Sequence, residues 1–412
     1  MRILHIVQAY YPAIGGSEWL TKNLSESLVK NYGDEVTVFT TNAYKTEVFW
    51  RGQGPFMPAG VERINGVNVR RFPVFSGLQR IRELLARGSY RLRLPLHDWF
   101  RTIQTGPIIL NLRQEIAASK AKVVFATSFP FMHMYDAVAG AQRGKMPVVL
   151  LGAIHPADRW GYDRPMIYQA IKKATQYIAH TAFEKDYLAR HGIDKAKITI
   201  IGGGVHLEKF TCATGATIRA RYGLYEQPVV GVFARHSPLK RLDIVLQAMP
   251  YVWEKRPDTY LLMAGARTAH SMQLESLIAA FPPEQRGHVI LVYDFADDQK
   301  GDLFAACDLI AHPSTNESFG IVFVEAWACS KPVIGARYGA VSSVVEQGID
   351  GLLYEYPDPE SLAQAILTLI NNPSKRYEMG QAGRRKVQEN FTWDIVTAKL
   401  RQVYEQVTTE NS

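Results

Sequence analysis

The chain is expected to fold as α/β, with two Rossmann-like, doubly wound parallel-sheet domains. Three observations predict this. Short apolar runs alternate with helical patterns through nearly all 412 residues, which implies crossover connections and parallel strands. That length exceeds what one core usually serves and suits two domains of about 200 residues each. The stretch Gly202-Gly203-Gly204, followed by Val205-His206 and a run of small and polar residues, separates two such alternations.

In the first alternation strands are expected at 3–8, 35–40, 67–72, 122–127, 147–152, 176–180 and 197–201. Helices are expected between most of them, including 17–30 and 106–119. Thr181-Ala-Phe-Glu184 has the spacing of a capping box, so a helix should begin there. The second alternation has strands at 228–234, 259–264, 288–293, 308–311 and 332–336, each followed by a helical pattern. From Asp358 onward the pattern is almost wholly helical. The expected division is therefore 1–207 and 208–392.

Composition narrows the function classes. A hydrophobic fraction of 47% with 21% charged residues is ordinary for a globular protein. No apolar run approaches the roughly 18–20 residues of a membrane helix. The N-terminus turns polar at Gln8, too early for the apolar core of a signal peptide. Cys212, Cys307 and Cys329 are dispersed and form no Cys-x-x-Cys, so reduced thiols and a cytoplasmic chain are expected, without structural zinc. The net charge of +8 is uneven: residues 1–207 hold 27 Lys/Arg against 15 Asp/Glu, the remainder 20 against 24. No nucleic-acid motif accompanies the basic half.

The segment Ser314-Thr-Asn-Glu317-Ser318-Phe319-Gly320-Ile321-Val-Phe-Val-Glu325-Ala is the most informative. It follows a short apolar run closed by His312-Pro313, and its own apolar part should form a buried helix. Glu317 then lies in the loop at the helix mouth and Glu325 about two turns inside. The mouth offers free backbone N–H groups and a positive dipole end, a seat for phosphate. Two acids on one loop–helix unit do not suit a glycosidase, whose carboxyl groups must meet across a cleft. No Asp-x-Asp occurs, so a metal clamp on a diphosphate has no evident ligands.

This segment resembles the Glu-x7-Glu motif of the retaining family 4 glycosyltransferases. Lys331-Pro-Val-Ile-Gly335-Ala and Gly348-Ile-Asp350-Gly351-Leu-Leu follow that family's pattern too. The resemblance implies the GT-B fold, two Rossmann-like domains facing a cleft, with the C-terminal helix, about 393–412, packed back onto the first domain. It implies a sugar moved from a nucleotide sugar, UDP- or GDP-linked, to a glycan, lipid-linked or small-molecule acceptor, with retention and no metal or cofactor. The first domain would bind the acceptor and the second the donor. A nucleotide-sugar epimerase or a phosphorylase on the same fold is the alternative.

By the same resemblance, Glu325 takes the ribose hydroxyls, while Glu317 and the backbone of Ser318, Phe319, Gly320 and Ile321 hold sugar and phosphate. Tyr293, at the end of an expected strand, is counted with the donor contacts. Arg235 and Lys240 follow the second domain's first strand, where open sheets bind ligands, and are expected to stabilise the departing diphosphate. Ala234 and Arg241 stand where the family has glycines. His155, just past the strand at 147–152, matches a family histidine that approaches the donor sugar; His133 and His180 are read as structural. Ile14-Gly15-Gly16-Ser17-Glu18 opens the first helix, its glycines expected to permit unusual backbone angles and to let Gly15 and Gly16 face the diphosphate. It is not the Gly-x-Gly-x-x-Gly dinucleotide fingerprint.

Between Leu78 and Arg101 six arginines alternate with Leu, Ile, Trp and Phe. One reading is a segment that meets an anionic membrane, on its inner face, or a lipid-linked acceptor. The other is an amphipathic helix whose apolar side packs on the domain and whose arginines are solvated. Both stay open at the level of sequence.

Overall fold

In a computed structural model, which describes residues 1–13 and 15–409, the chain divides into two compact units. The first comprises Met1–Gly202 together with the C-terminal segment from Trp393, and the second Gly203–Thr392. The division thus falls at Gly202/Gly203, five residues before the expected 207. Ile14 of the glycine motif and the last three residues of the expected C-terminal helix lie outside the described residues.

The first unit is built on eight strands: β1 (Arg2–Ile6), β2 (Glu35–Thr41), β3 (Gly60–Ile64), β4 (Val67–Phe72), β5 (Val123–Thr127), β6 (Val148–Leu151), β7 (Gln176–Ala179) and β8 (Ile198–Ile200). Their order is β3-β4-β2-β1-β5-β6-β7-β8. The central register sets Ile3 opposite Val36 and Val123, three residues of one buried face. Both faces are covered, which explains why the inner strands read as unbroken apolar runs. The exception is β3, antiparallel to β4 and absent from the sequence expectation. Its signal was Asn65-Gly66, both at positive φ (48° and 85°), the turn that a two-residue hairpin demands.

The helix expected over 106–119 is shorter, Leu112–Ala118. Pro107 lacks the N–H a continuing helix needs, and Gly106 sits at φ 67°. Thr181 caps Ala182–Arg190 by accepting from the Glu184 N–H at 3.2 Å. The Glu184 side chain does not close the box; it takes the N–H groups of Ile154 and His180 and the Tyr177 hydroxyl.

The helix Trp393–Thr409 packs on the first helix, Gly16–Tyr32, burying Val396, Leu400, Val403 and Tyr404 in this unit. His5 on β1 joins the two, its ring nitrogens meeting the Ser25 and Tyr404 hydroxyls at 2.7 and 3.0 Å. Burial pushes the His5 pKa down to about 3, and that of His133, which donates to Thr127 O, to about 4. Both are therefore neutral when folded, whereas unfolded histidine titrates near 6.5. Their stabilisation is complete above that unfolded value and declines as pH falls below it, by about 2 kcal/mol each at pH 5. Chemical denaturation should show the wild type less stable at pH 5 than at pH 7, and the double variant His5→Gln/His133→Gln losing less between the two. Equal losses would refute the assignment.

The second unit has six strands, all parallel: β9 (Val229–Phe233), β10 (Tyr260–Gly265), β11 (Val289–Tyr293), β12 (Leu309–His312), β13 (Val333–Ala336) and β14 (Gly351–Tyr354). Their order is β11-β10-β9-β12-β13-β14. The chain winds outward from β9 to β11, then returns to lay β12 against β9 on the other side. The sequence expectation had five of these and missed β14, a four-residue edge strand. Between β12 and β13 runs the helix Ile321–Ala328, apolar at every position but Glu325. It packs on Pro373–Asn390, where a Cβ on Gly383 would lie 2.0 Å from the buried Trp327 ring. Trp327 Nε1 donates to Asp350 O at 2.9 Å, which fixes the helix along its length.

Candidate functional site

β9 and β12 are hydrogen-bonded neighbours, with Leu309 opposite Val230, and the winding reverses between them. Open α/β sheets bind ligands beyond the strand ends at such a reversal. Here the segments leaving β9 and β12 supply eight of the expected residues, Arg235 and Lys240 from one and Glu317 to Ile321 and Glu325 from the other, and the end of β12 adds one more. Pro238–Lys240 makes a single 3-10 turn that carries the Lys240 ammonium to 2.6 Å from Glu317 Oε1. His312, the last residue of β12, donates from Nε2 to the same oxygen at 2.8 Å. Ser314 Oγ, reaching Leu239 O, ties the two loops together.

Glu317 is the electrostatic centre of this group. Burial acts most strongly on it and pushes its pKa up. The Lys240 and His312 charges and hydrogen bonds together outweigh burial and hold the carboxyl well below the usual carboxylate range. With both bonds on Oε1, Oε2 keeps no protein partner among the described residues. His312 was not among the residues expected at the site. Its signal was available: a histidine ending a strand five residues before the loop acid.

The Ile321–Ala328 helix starts at Gly320, held at φ 89°, where an added Cβ would stand 2.7 Å from the Phe323 ring. No side chain caps it, and among the described residues neither the Ile321 nor the Val322 N–H has an acceptor. Phe319 is buried against Phe391, Ser318 is half-buried and Ile321 is exposed at the mouth. Glu325, further in, accepts from Lys300 of the helix Lys300–Ala305, a partner 25 residues away that sequence spacing gave no means of finding.

Arg235 is exposed and has no hydrogen bond or ion pair among the described residues. The neighbouring Arg241 keeps the left-handed backbone that a glycine would adopt, φ 50°, while its guanidinium turns away to Asp243 and the Tyr356 hydroxyl. Tyr293, ending β11, donates its hydroxyl to Glu275 at 2.7 Å and sets its ring edge-on to buried His236.

The remaining candidates lie in the first unit. His155 follows β6 and packs edge-on to Tyr162, 5.4 Å between centroids. Gly15 and Gly16 open the first helix, but not through unusual backbone angles: Gly15 is extended, φ −175°, and Gly16 is helical. The Glu18 carboxylate folds back over Gly15, so that a Cβ there would stand 2.2 Å from Oε2 and would have to displace that flexible side chain. Gln8 Nε2 donates to the other oxygen of that acid at 2.9 Å.

Two parallel-sheet units, with acids and cations gathered at the second sheet's reversal, define the GT-B class of sugar-transferring enzymes. Comparison with solved structures bears this out for the fold. HepE from Anabaena, solved with UDP, superposes with a TM-score of 0.72 at 19% identity, covering 98% of this chain and 100% of that one. Sucrose-phosphate synthase from Thermosynechococcus elongatus also gives 0.72 at 19% identity, covering both chains fully. The family description "Glycosyltransferase Family 4" matches residues 14–209, and "Glycosyl transferases group 1" matches 216–386. The chain belongs to glycosyltransferase family 4.

Among curated relatives, the D-inositol 3-phosphate glycosyltransferase of Streptomyces avermitilis is 32% identical over 251 residues, 57% of this chain and 53% of the relative. The chain thus spans about half the length of the first relatives it matches. The enzyme of the same name from Xylanimonas cellulosilytica is 28% identical over 413 residues, 96% of this chain and 92% of the relative.

Proposed function

We propose that this protein is a retaining glycosyltransferase that moves a hexosyl unit from a nucleotide sugar to a glycan, lipid-linked or small-molecule acceptor, without a metal. The observation that carries this reading is the Lys240–Glu317–His312 group beside the uncapped start of the Ile321–Ala328 helix. A diphosphate seated on the Ile321 and Val322 N–H groups meets the positive end of that helix. Lys240 gives one of its three ammonium protons to Glu317 and keeps two for phosphate oxygens, and Arg235 adds a second cation. Glu317 Oε2 accepts from a sugar hydroxyl and Glu325 from the ribose. Tyr293 lies beside the nucleotide.

His155 toward the sugar, and Gly15 and Gly16 toward the diphosphate, are assigned from the family resemblance. The Glu18 carboxylate against Gly15 must move or stay shielded for the last of these roles. The glycosidic bond breaks with its electron pair going to the diphosphate. The acceptor oxygen attacks from the same face, and its proton passes to the departing phosphate. No protein nucleophile is required. UDP is the first nucleotide to try, since HepE was solved with UDP and with UDP-glucose. D-inositol 3-phosphate, named for the curated relatives, joins the acceptor panel. A reducing, cytoplasmic compartment is proposed from three unpaired cysteines.

Thermal-shift screening against nucleotides and nucleotide sugars tests the donor. A ligand at a hundred times its Kd should stabilise the protein by about 2.7 kcal/mol. Glu325→Ala should raise the donor Kd roughly tenfold or more, through loss of charge-assisted bonds to ribose. Absence of any nucleotide-dependent shift would defeat the proposal. A new sugar nucleotide formed without acceptor would point to an epimerase, and dependence of turnover on inorganic phosphate to a phosphorylase.

A further inference from the structure

The arginine-rich segment is turned inside out. It forms two packed helices, Gln79–Arg91 and His97–Thr105, in the first unit. The inward face of the first carries Arg82, Ala86 and Ser89, at i, i+4 and i+7. Arg82 caps the end of the second helix by donating to the carbonyls of Ile103 and Gln104. Arg101, fully buried, donates to the Trp160 and Asp163 carbonyls and to Asp98. The outward face holds Ile81, Leu84 and Leu85 at i, i+3 and i+4. Leu92 and Leu96 follow in the connection, and exposures of 72% at Leu84, 69% at Leu92 and 66% at Leu96 show how bare this face is.

A helix that packs its apolar side on a domain would have the reverse arrangement. These five exposed large apolar side chains within sixteen residues are an unusual concentration, of the kind that marks an interaction site. Charge decides the occupant. Both acids of the segment are consumed internally, Glu83 by Arg87 and Asp98 by Arg101. Arg80, Arg91 and Arg93 stand exposed among the leucines with no ion pair among the described residues. No helix among those residues is long and apolar enough to cross a membrane. We infer that this face lies on an anionic lipid bilayer, the leucines entering the headgroup boundary and the arginines meeting lipid phosphates.

This inference stands apart from the transferase reading, and bare lipid vesicles, which contain no acceptor, test it. The protein should co-sediment with phosphatidylcholine vesicles containing phosphatidylglycerol, and at least tenfold less with phosphatidylcholine alone. Arg91→Ala/Arg93→Ala should weaken binding about fivefold per arginine. Leu84→Ser/Leu92→Ser should abolish the binding that survives high salt. All four positions are exposed, so melting temperature and any nucleotide-induced shift should match wild type. Equal binding to both vesicle types, or leucine variants that bind as wild type, would overturn the inference. So would a wild-type dimer that the leucine variant dissociates and that ignores vesicles.

Discussion

Replacing Arg235 and Lys240 together by alanine is expected to lower turnover roughly 10²- to 10³-fold, the usual cost of removing charge stabilisation aimed at a leaving group. Donor binding should change less, because in the proposed seating the helix start and Glu325 still hold the nucleotide. The two cations contribute unequally. Arg235 is exposed and has no ion pair among the described residues, so Arg235→Ala alone should leave the fold and the loop acid untouched and report leaving-group stabilisation directly. Lys240→Ala also strips Glu317 of its strongest opposing charge. The comparison to make is kcat against donor Kd for the two single variants and the double. If the double variant turns over like wild type, the diphosphate is not where it has been placed.

The second large effect is expected at Glu317. Glu317→Gln keeps the shape and a hydrogen-bond acceptor but removes the charge, and kcat/KM should fall about a hundredfold. The direction of the pH dependence follows from what surrounds the carboxyl. Its folded pKa is depressed, so its stabilising contribution is present above the ordinary carboxylate value and disappears only as pH falls through the depressed one. Wild-type activity should accordingly show no acid limb from this group between pH 7 and pH 5. In Lys240→Ala, burial, the strongest influence on Glu317, is opposed by His312 alone, and the acid limb should move toward neutral pH. Paired pH profiles of kcat/KM measure it. Coincident profiles, or full activity in Glu317→Gln, would remove Glu317 from the mechanism.

Much of the fold could be read from local pattern. Val67–Phe72 begins and ends where its apolar alternation and flanking turns place it, and most other strands differ by one or two residues at their ends. The failures have local causes: an unread Asn-Gly turn before β4, a glycine–proline pair read through as helix, and an edge strand, Gly351–Tyr354, without a single β-branched residue. The site was legible as separate residues more than as an arrangement. Glu317 and Lys240 are 77 residues apart, and only the sheet order, which laid β12 beside β9, makes them an ion pair. Periodicity between Leu78 and Arg101 announced amphipathic helices. It carried no information on which face the domain would claim, since that depended on buried carbonyls able to take Arg82 and Arg101.

The helix Trp393–Thr409 has a consequence for biosynthesis. A nascent chain that has reached Gly202 already contains every strand of its eight-stranded sheet, but the groove beside His5 and the Gly16–Tyr32 helix lacks its lid. The apolar face that Val396, Leu400, Val403 and Tyr404 cover is thus completed by residues made some two hundred positions later.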